Sequence, residues 1–332
     1  MQIRKISDAE KGKTRKLYEE IFSEDSVSFV DYYYTEKTKD NTIYVVEEDG
    51  AVRAMLHLNP YTLMVNGKEE PSHYIVAVAT EKEYRKRGYM AALIRTALGD
   101  MYQAGEPFTF LMPAAEEIYL PHGFSTVYEQ EQRCFEGEGN LPEEWSAKRA
   151  APGDGARIGA AAEKSLRGRA KVYAKRDEAY YERLIREYES DGGCLMICEK
   201  DGQIVDCLPA VPQTSKDRPK IMVRPVNVRR LLLLLELNYL TAVCFRVTDP
   251  LIPENNQVFM LTGTEFSGVM LMEGKPENSE GTLTVEALTK LVFGSVSPDE
   301  IESEPGVTVT ERMKEELRKI VPLSPIYLNE VV

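Results

Sequence analysis

The sequence predicts a mixed α/β (α+β) fold spread over more than one domain, and three observations lead to it. The chain has 332 residues, more than one ordinary core accommodates. It is 43% hydrophobic and 29% charged, the balance of a globular protein. Along its first third, periodicities run in the order helix, antiparallel strands, strand–loop–helix, strand, which is an α/β pattern.

The elements follow in order. Ser7 and Glu10 have capping-box spacing, and Leu17, Ile21 and Phe22 form an apolar face, predicting a helix over 8–23. Strand-like runs Thr42–Glu47 and Val52–Leu58 flank the turn Glu48-Asp49-Gly50-Ala51. A further strand starts near Thr62, turns at Asn66-Gly67 and is followed by Ser72–Thr80. From Gly88 to Gln103, apolar residues recur at helical spacing, and Phe108–Met112 reads as a buried strand. Ala, Gly, Pro and charge over 146–160 place a boundary there. An amphipathic helix near Asp177–Tyr188 precedes strands Cys194–Glu199 and Gln203–Leu208, and Pro209–Pro219 reads as a linker. From Ile221 a new region starts. It comprises a strand Ile221–Val223, a leucine-rich helix, strands near Ala242–Val247, Gln257–Thr262 and Ser267–Met272, and a helix Val285–Phe293 ending at Gly294. The capping box Ser297-Pro298-Asp299-Glu300 predicts a further helix, and another spans Thr310–Ile320 before an apolar tail.

Several classes are excluded. A net charge of −13 opposes nucleic-acid binding, which needs a basic footprint. It favours a cationic substrate by long-range attraction. The first ten residues carry no apolar segment after their basic residues, and no apolar run approaches the roughly 18–20 residues of a membrane span, so a cytoplasmic protein without a membrane partner is expected. Cys134, Cys194, Cys198, Cys207 and Cys244 show no metal or redox spacing and read as buried thiols on strands; no metal is expected.

Chemistry concentrates at Val78-Ala79-Thr80-Glu81-Lys82-Glu83-Tyr84-Arg85-Lys86-Arg87-Gly88-Tyr89-Met90. A strand ends, a basic turn follows, and a glycine opens the strongest helix of the chain. Free amides at a helix N-terminus, the helix dipole and adjacent basic side chains suit a pyrophosphate. Neither G-x-x-x-x-G-K-[ST] nor G-x-G-x-x-G is present.

Tyr84-Arg85-Lys86-Arg87-Gly88-Tyr89-Met90 resembles the R-x-x-G-x-[GA] acetyl-CoA motif of GNAT acetyltransferases. Met90 stands where that motif ends in a small residue, and larger residues are usual there in the enhanced-intracellular-survival (Eis) branch. Ala114-Ala115-Glu116-Glu117-Ile118-Tyr119-Leu120-Pro121-His122-Gly123-Phe124 resembles a second segment of that branch. Met222-Val223-Arg224-Pro225-Val226-Asn227, Val247-Thr248-Asp249-Pro250 and Gly294-Ser295-Val296-Ser297 resemble its sterol-carrier-protein-like domain. The resemblance implies a GNAT acetyl-CoA-binding catalytic domain over 1–145, a short degenerate GNAT-like middle region over 146–219, and a sterol-carrier-protein-like domain over 220–332.

It also implies roles. Val78, Ala79 and Thr80 hold the pantetheine arm through their backbone, with a backbone N–H near Val78 as oxyanion donor. Lys86, Arg87, Gly88, Tyr89, Met90 and Ala91 wrap the pyrophosphate with Arg85 alongside, and Ala114 and Ala115 touch the arm from the far side. Tyr119 is the acid for the leaving thiolate, as a phenol of pKa about 10 stays protonated at neutral pH. The carboxylate of Val332 serves as base, with Glu116 and Glu330 as fallbacks. The implied reaction is direct acetyl transfer from acetyl-CoA to an amine acceptor, cationic and aminoglycoside- or polyamine-like, in a homo-oligomer. The competing readings are a non-catalytic acyl-CoA or lipid-binding protein, with Leu231–Leu235 lining an apolar tunnel, and a protein-lysine acetyltransferase. Phe29-Val30-Asp31-Tyr32-Tyr33-Tyr34 either lines the acceptor pocket or belongs to the core; His57 and His73 read as structural.

Overall fold

A computed structural model describes residues 2–131, 133–211 and 218–330. The first region supplies strands β1 Gln2–Lys5, β2 Thr42–Glu48, β3 Ala51–Val65, β4 Lys68–Thr80, β5 Phe108–Leu111 and β6 Ser125–Glu129. Its helices are α1 Arg15–Ile21, α2 Val27–Thr35, α3 Tyr89–Ala104 and the single turn α4 Glu116–Tyr119. The predicted helix over 8–23 divides into a 3-10 segment, Asp8–Thr14, and α1, with the Ser7–Glu10 capping box formed at 2.9 and 3.2 Å. The aromatic stretch at 29–34 is the body of α2, capped by Ser26, whose hydroxyl accepts from the Phe29 amide. Phe29, Tyr32 and Tyr33 are buried, whereas Asp31 pairs with Arg15 on the surface at 2.6 Å, so Asp31 does not serve an acceptor pocket.

The middle region contains β7 Ser146–Arg149, α5 Gly155–Leu166, β8 Val172–Ala174, α6 Glu178–Ser190, β9 Cys194–Lys200 and β10 Gln203–Ala210. The stretch at 146–160 expected to be a linker is therefore mostly structured. Its alanines and glycines serve close packing: a Cβ on Gly155 or Gly159 would meet the backbone of Glu178 or Arg176 at 2.7 and 2.9 Å. Strands β10, β9 and β7 form an antiparallel sheet with its own small core of Ala150, Ile158, Tyr181, Ile185, Leu195 and Ile197.

The last region holds β11 Lys220–Pro225, α7 Val228–Leu232, β12 Glu236–Leu237, β13 Thr241–Thr248, β14 Val258–Thr264, β15 Gly268–Glu273, β16 Gly281–Thr284, α8 Val285–Val292, β17 Thr308–Val309, α9 Glu311–Leu317, β18 Ile320–Val321 and β19 Ile326–Tyr327. A five-stranded sheet runs β15-β14-β13-β16-β17. The helix predicted after Ser297 does not form. Its capping-box bonds exist at 2.7 and 3.3 Å, but only a 3-10 turn, Ile301–Ser303, follows. Pro305 disfavours helix at the residue before it, and Gly306 turns left-handed at φ +76°. The leucine-rich segment buries Leu231, Leu232, Leu234 and Leu235 in the main core.

One strand departs from the expected partition. β11, expected to open the last region, inserts between β5 and β6, giving the order β1-β2-β3-β4-β5-β11-β6. It carries Ile221, Met222 and Val223, all buried, so a strand apolar on both faces finds the only environment that suits it, the interior of a sheet. First and last regions consequently share one hydrophobic core, with Phe108 edge-on to Phe293 at 5.2 Å. The chain end returns as well: β19 pairs in parallel with β8, which pairs with the far end of β3.

His57, in β3, is fully buried, with Tyr33 2.9 Å from Nδ1 and no partner on Nε2. Burial pushes its pKa down to about 3, with Lys11 adding to the effect. The folded state therefore refuses a proton that the unfolded chain takes up below pH 6.5. Stability should fall on acidification by up to about 1.4 kcal/mol per pH unit below that point. Urea unfolding at pH 7 and pH 5 should show a flatter acid dependence in His57→Gln; equal slopes would exclude His57 as their source.

Candidate active site

Strands β4 and β5 are bridged in parallel at a single register pair, Tyr74↔Phe110. Beyond it β4 continues to Thr80, whereas β5 ends at Leu111, so a fork opens between them. On the opposite edge of β4 the register against β3 slips between Met55/Ala79 and His57/Val76, and Ala77 takes φ +49°. This is a β-bulge, which releases backbone groups from the ladder and bends the strand. Val78, Ala79 and Thr80 thus lie on the bulged arm of the fork, Val78 and Thr80 half-buried and Ala79 buried. Ala114 and Ala115 follow β5 on the other arm.

The arm of β4 leads into the basic turn. Lys86 takes φ +62° and Gly88 φ +80° as the N-cap of α3. Nothing lies within 4 Å of a Cβ built on Gly88, so glycine is required there for backbone conformation. No side chain caps the helix, and its first backbone bond runs from Ala92 N to Gly88 O. The amides of Tyr89, Met90 and Ala91 therefore point out of a 16-residue helix without intrahelical partners. Arg85 Nε donates to Thr80 O at 3.2 Å, and Arg87 donates to Glu83 O at 3.2 Å. Tyr84 is flanked by Arg53 at 4.4 Å and Arg87 at 4.5 Å. Arg85, Lys86, Arg87 and Gly88 are exposed, so three cations crown a free helix N-terminus. This arrangement fits a diphosphate. Tyr89 departs from the expectation in one respect: its ring is buried and its hydroxyl binds Glu48, leaving only its amide available.

Tyr119 sits on α4, just past Ala115, 8% exposed and edge-on to Phe124 at 6.0 Å. Burial alone pushes its hydroxyl pKa up to about 12. At the root of the fork Tyr74 stacks on Phe110 at 4.9 Å and 5°, and Tyr61 lies 6.0–6.3 Å from both rings. Tyr61 also lines a cavity of about 200 Å³ with Asn59, Glu187 and Glu330, so these rings connect fork and cavity.

The tail reaches that cavity. Gln130 Nε2 donates to Leu328 O and Glu330 O at 3.0 and 3.1 Å, and Tyr128 donates to Asn329 at 2.7 Å. Glu330 is 1% exposed and accepts from Arg176 at 3.0 Å and Tyr180 at 2.6 Å. Val332, the expected base, lies outside the described residues. Glu116, the other fallback, is bound by Lys220 at 2.6 Å and by Thr126, which hold its carboxyl below the usual range. His122 contributes its carbonyl, as acceptor for Arg224 Nε at 2.7 Å, and His73 is tied to Glu106 at 2.7 Å. Among the described residues no group of three or more His, Cys, Asp and Glu is placed to hold a metal.

The sequence reading missed Asn59, Tyr61 and Glu187. A usable signal existed on α6: Tyr180, Arg183, Leu184 and Glu187, at i, i+3, i+4 and i+7, share one stripe facing the cavity. Arg224 and Asp249 lie in the segments that resemble the sterol-carrier-protein-like domain, and no sequence pattern pairs them. They form an ion pair at 2.6 Å with both side chains fully buried. Asp249 further accepts from the Leu251 and Ile252 amides and from Asn255. Through His122 O, Arg224 holds the turn after Tyr119, where Gly123 at φ +80° leaves only 3.1 Å between a built Cβ and Arg224 Nε.

A family model described as an acetyltransferase (GNAT) domain matches residues 2–127, and one described as a sterol carrier protein domain matches residues 231–329. No curated protein matches the sequence. Crystal structures similar over almost the whole length include the following three. A conserved protein of unknown function from Enterococcus faecalis, described as a probable N-acyltransferase, has 14% identity, 97% coverage of each chain and a TM-score of 0.79. A GCN5-related N-acetyltransferase from Anabaena variabilis has 15% identity, covers 98% of this chain and 99% of that one, and scores 0.77. Eis1 from Mycobacterium abscessus has 13% identity, covers 96% and 97%, and scores 0.69. At these identities the likeness establishes the fold.

Removing one partner of the Arg224–Asp249 pair leaves an uncompensated buried charge. Arg224→Ala should lower the unfolding free energy by about 3–5 kcal/mol in urea titration. Arg224→Met combined with Asp249→Asn, which removes both charges and keeps an amide oxygen for the Leu251 and Ile252 amides, should recover part of that loss; no loss in the single variant would remove the pair from the fold's supports.

Proposed function

We propose that this chain, whose residues 2–127 form a GNAT acetyltransferase domain, transfers the acetyl group of acetyl-CoA to an amine acceptor by direct attack in a ternary complex, as an enzyme of the enhanced-intracellular-survival type. The observation that carries the reading is the fork itself. A bulged strand leads at its far end to a helix N-terminus crowned by cations, the opposite arm leads past Ala115 to the buried Tyr119, and the root adjoins a cavity holding carboxylates.

In this reading the loop from Arg85 to Ala91 binds the diphosphate, and Val78–Thr80 aligns the pantetheine arm by backbone bonds opposite Ala114 and Ala115. The bulge at Ala77 frees a backbone N–H near Val78 to face the thioester oxygen, where it stabilises charge that develops on attack. The neutral amine nitrogen bonds to the thioester carbon as the carbon–sulfur bond breaks; Tyr119 hydrogen-bonds and protonates the departing sulfur, and the proton shed by the new amide nitrogen restores the phenol. A phenol held up at about 12 is protonated throughout the neutral range, and shielding from water keeps it from being spent elsewhere. The acceptor amine enters from the cavity side, past Tyr61.

Thiol release from acetyl-CoA in the presence of an amine panel tests this. Tyr119→Phe should lower kcat about 100-fold with acetyl-CoA affinity unchanged, the range typical of a lost general acid. Because the protonated phenol is the working form and its folded pKa is about 12, wild-type kcat should show no alkaline fall from this group below about pH 11. An amine-independent release, or a Tyr119→Phe variant as fast as wild type, would contradict the assignment.

A further inference from the structure

The cavity beneath Tyr61 holds hydrogen-bonding capacity that the fold itself leaves unused. Both amide atoms of Asn59 are buried without a partner, and so is Oε1 of Glu187. These residues are 5% and 4% exposed, come from β3 and α6, and line the same cavity of about 200 Å³. Buried polar atoms are normally satisfied, so their convergence on one cavity marks a place for a ligand.

The charges say which kind. Lys37 is bound to Glu187 Oε2 at 2.7 Å, Lys175 to Glu69 at 2.6 Å and Arg183 to Asp40 at 2.8 Å. Among the described residues, each cation lining the cavity already has a carboxylate. A carboxylate or phosphate entering it would lose its water and gain no free cation. An ammonium finds Glu187 Oε1, whose carboxyl burial holds above the usual range while Lys37 and Tyr32 oppose that rise. Asn59 adds one acceptor and one donor whichever way its amide is turned, so it fits a group with both an N–H and a neutral oxygen. The volume is below the roughly 300–1,000 Å³ of cavities for drug-sized ligands, which excludes a multi-ring amino sugar held wholly inside.

We propose that this cavity selects a small primary amine bearing a neighbouring neutral oxygen, an amino alcohol or amino amide, with Glu187 and Asn59 as its specificity-determining residues; the assignment to an acceptor rests on the acetyltransferase reading above. Glu187 Oε1 receives the ammonium, and the Asn59 amide accepts from the neighbouring O–H or N–H and donates to the neighbouring oxygen. A free carboxylate on the acceptor is rejected.

Full-length protein should be assayed by thiol release and, separately, by calorimetric binding in the presence of CoA. The probes are 2-aminoethanol, an amino-acid amide, the matching free amino acid, an alkylamine of equal length and a three-ring aminoglycoside. Wild type should prefer the first two over the last three by about tenfold or more in kcat/KM. Glu187→Gln should raise KM about 10- to 100-fold with kcat within about threefold, and Asn59→Ala should erase the preference for the oxygen-bearing amines over the alkylamine. Unchanged acetyl-CoA affinity identifies variants that remain folded; Glu187→Asp and Asn59→Asp replace any that do not. Turnover indifferent to Glu187 and Asn59, or a preference for the free amino acid or the aminoglycoside, overturns the cavity assignment and leaves the transferase standing. Glu187-dependent binding without turnover upholds the cavity and overturns the transferase. Neither binding nor turnover overturns both.

Discussion

Strand β11 must cross back from beyond the middle region to fill the gap between β5 and β6, and the fork depends on its doing so. Without it the facing edges of β5 and β6 would leave backbone N–H and C=O groups unpaired inside the core shared with the last region. β5 is only four residues long and meets β4 at a single register pair, so β11 supplies most of what fixes its position. Arg224 then ties β11 to the turn after Tyr119 on one side and to Asp249 on the other. One strand thereby links the proposed acid, the second arm of the fork and the sterol carrier protein domain. These contacts join residues about a hundred positions apart, so forming them carries a loop-closure cost that local helices do not meet.

The site is electrically divided along its length. At the α3 end, cations and helix amides stand in solvent, where their attraction for an anion is strongest at low salt. At the cavity end two pairs are buried, Lys37 with Glu187 and Arg176 with Glu330, every side chain of the four at most 10% exposed. Buried pairs hold geometry and contribute little net stability, so their value here is positional. The net charge of −13 therefore describes the protein's general surface and says little about its acceptor, because the cavity selects by unpaired atoms.

The signals legible in the sequence were local. Helical spacing from Tyr89 to Met101, the turns at Asp49-Gly50 and Asn66-Gly67, and the glycine before α3 each depend on neighbours a few residues away, and each forms. The main failures share a cause. Ser297 and Glu300 make their capping box, yet the helix stops because Pro305 and Gly306 lie downstream. The alanines and glycines of α5 resemble a linker until α6 packs against them. The run Ile221–Val223 has a strand's composition, but nothing in it names β5 and β6 as partners. Glu187 looks like one more charge on an amphipathic helix until Lys37 arrives from another region to bury it.

Tyrosine suits the acid position for a reason that the packing makes visible. Tyr119 lies in a water-poor setting beside Phe124, 8% exposed. A histidine there would be pushed toward its neutral form by burial, as His122 three residues away is, and would have no proton to give at neutral pH. A carboxylic acid would be drawn to ionise by any ammonium that entered. For a phenol, burial works in the opposite direction, strengthening its hold on the proton so that it stays in place to hydrogen-bond a thiolate forming beside it. The same burial that would disable an imidazole thus keeps the phenol in its donating form, and the Arg224–His122 contact keeps that phenol's turn in place.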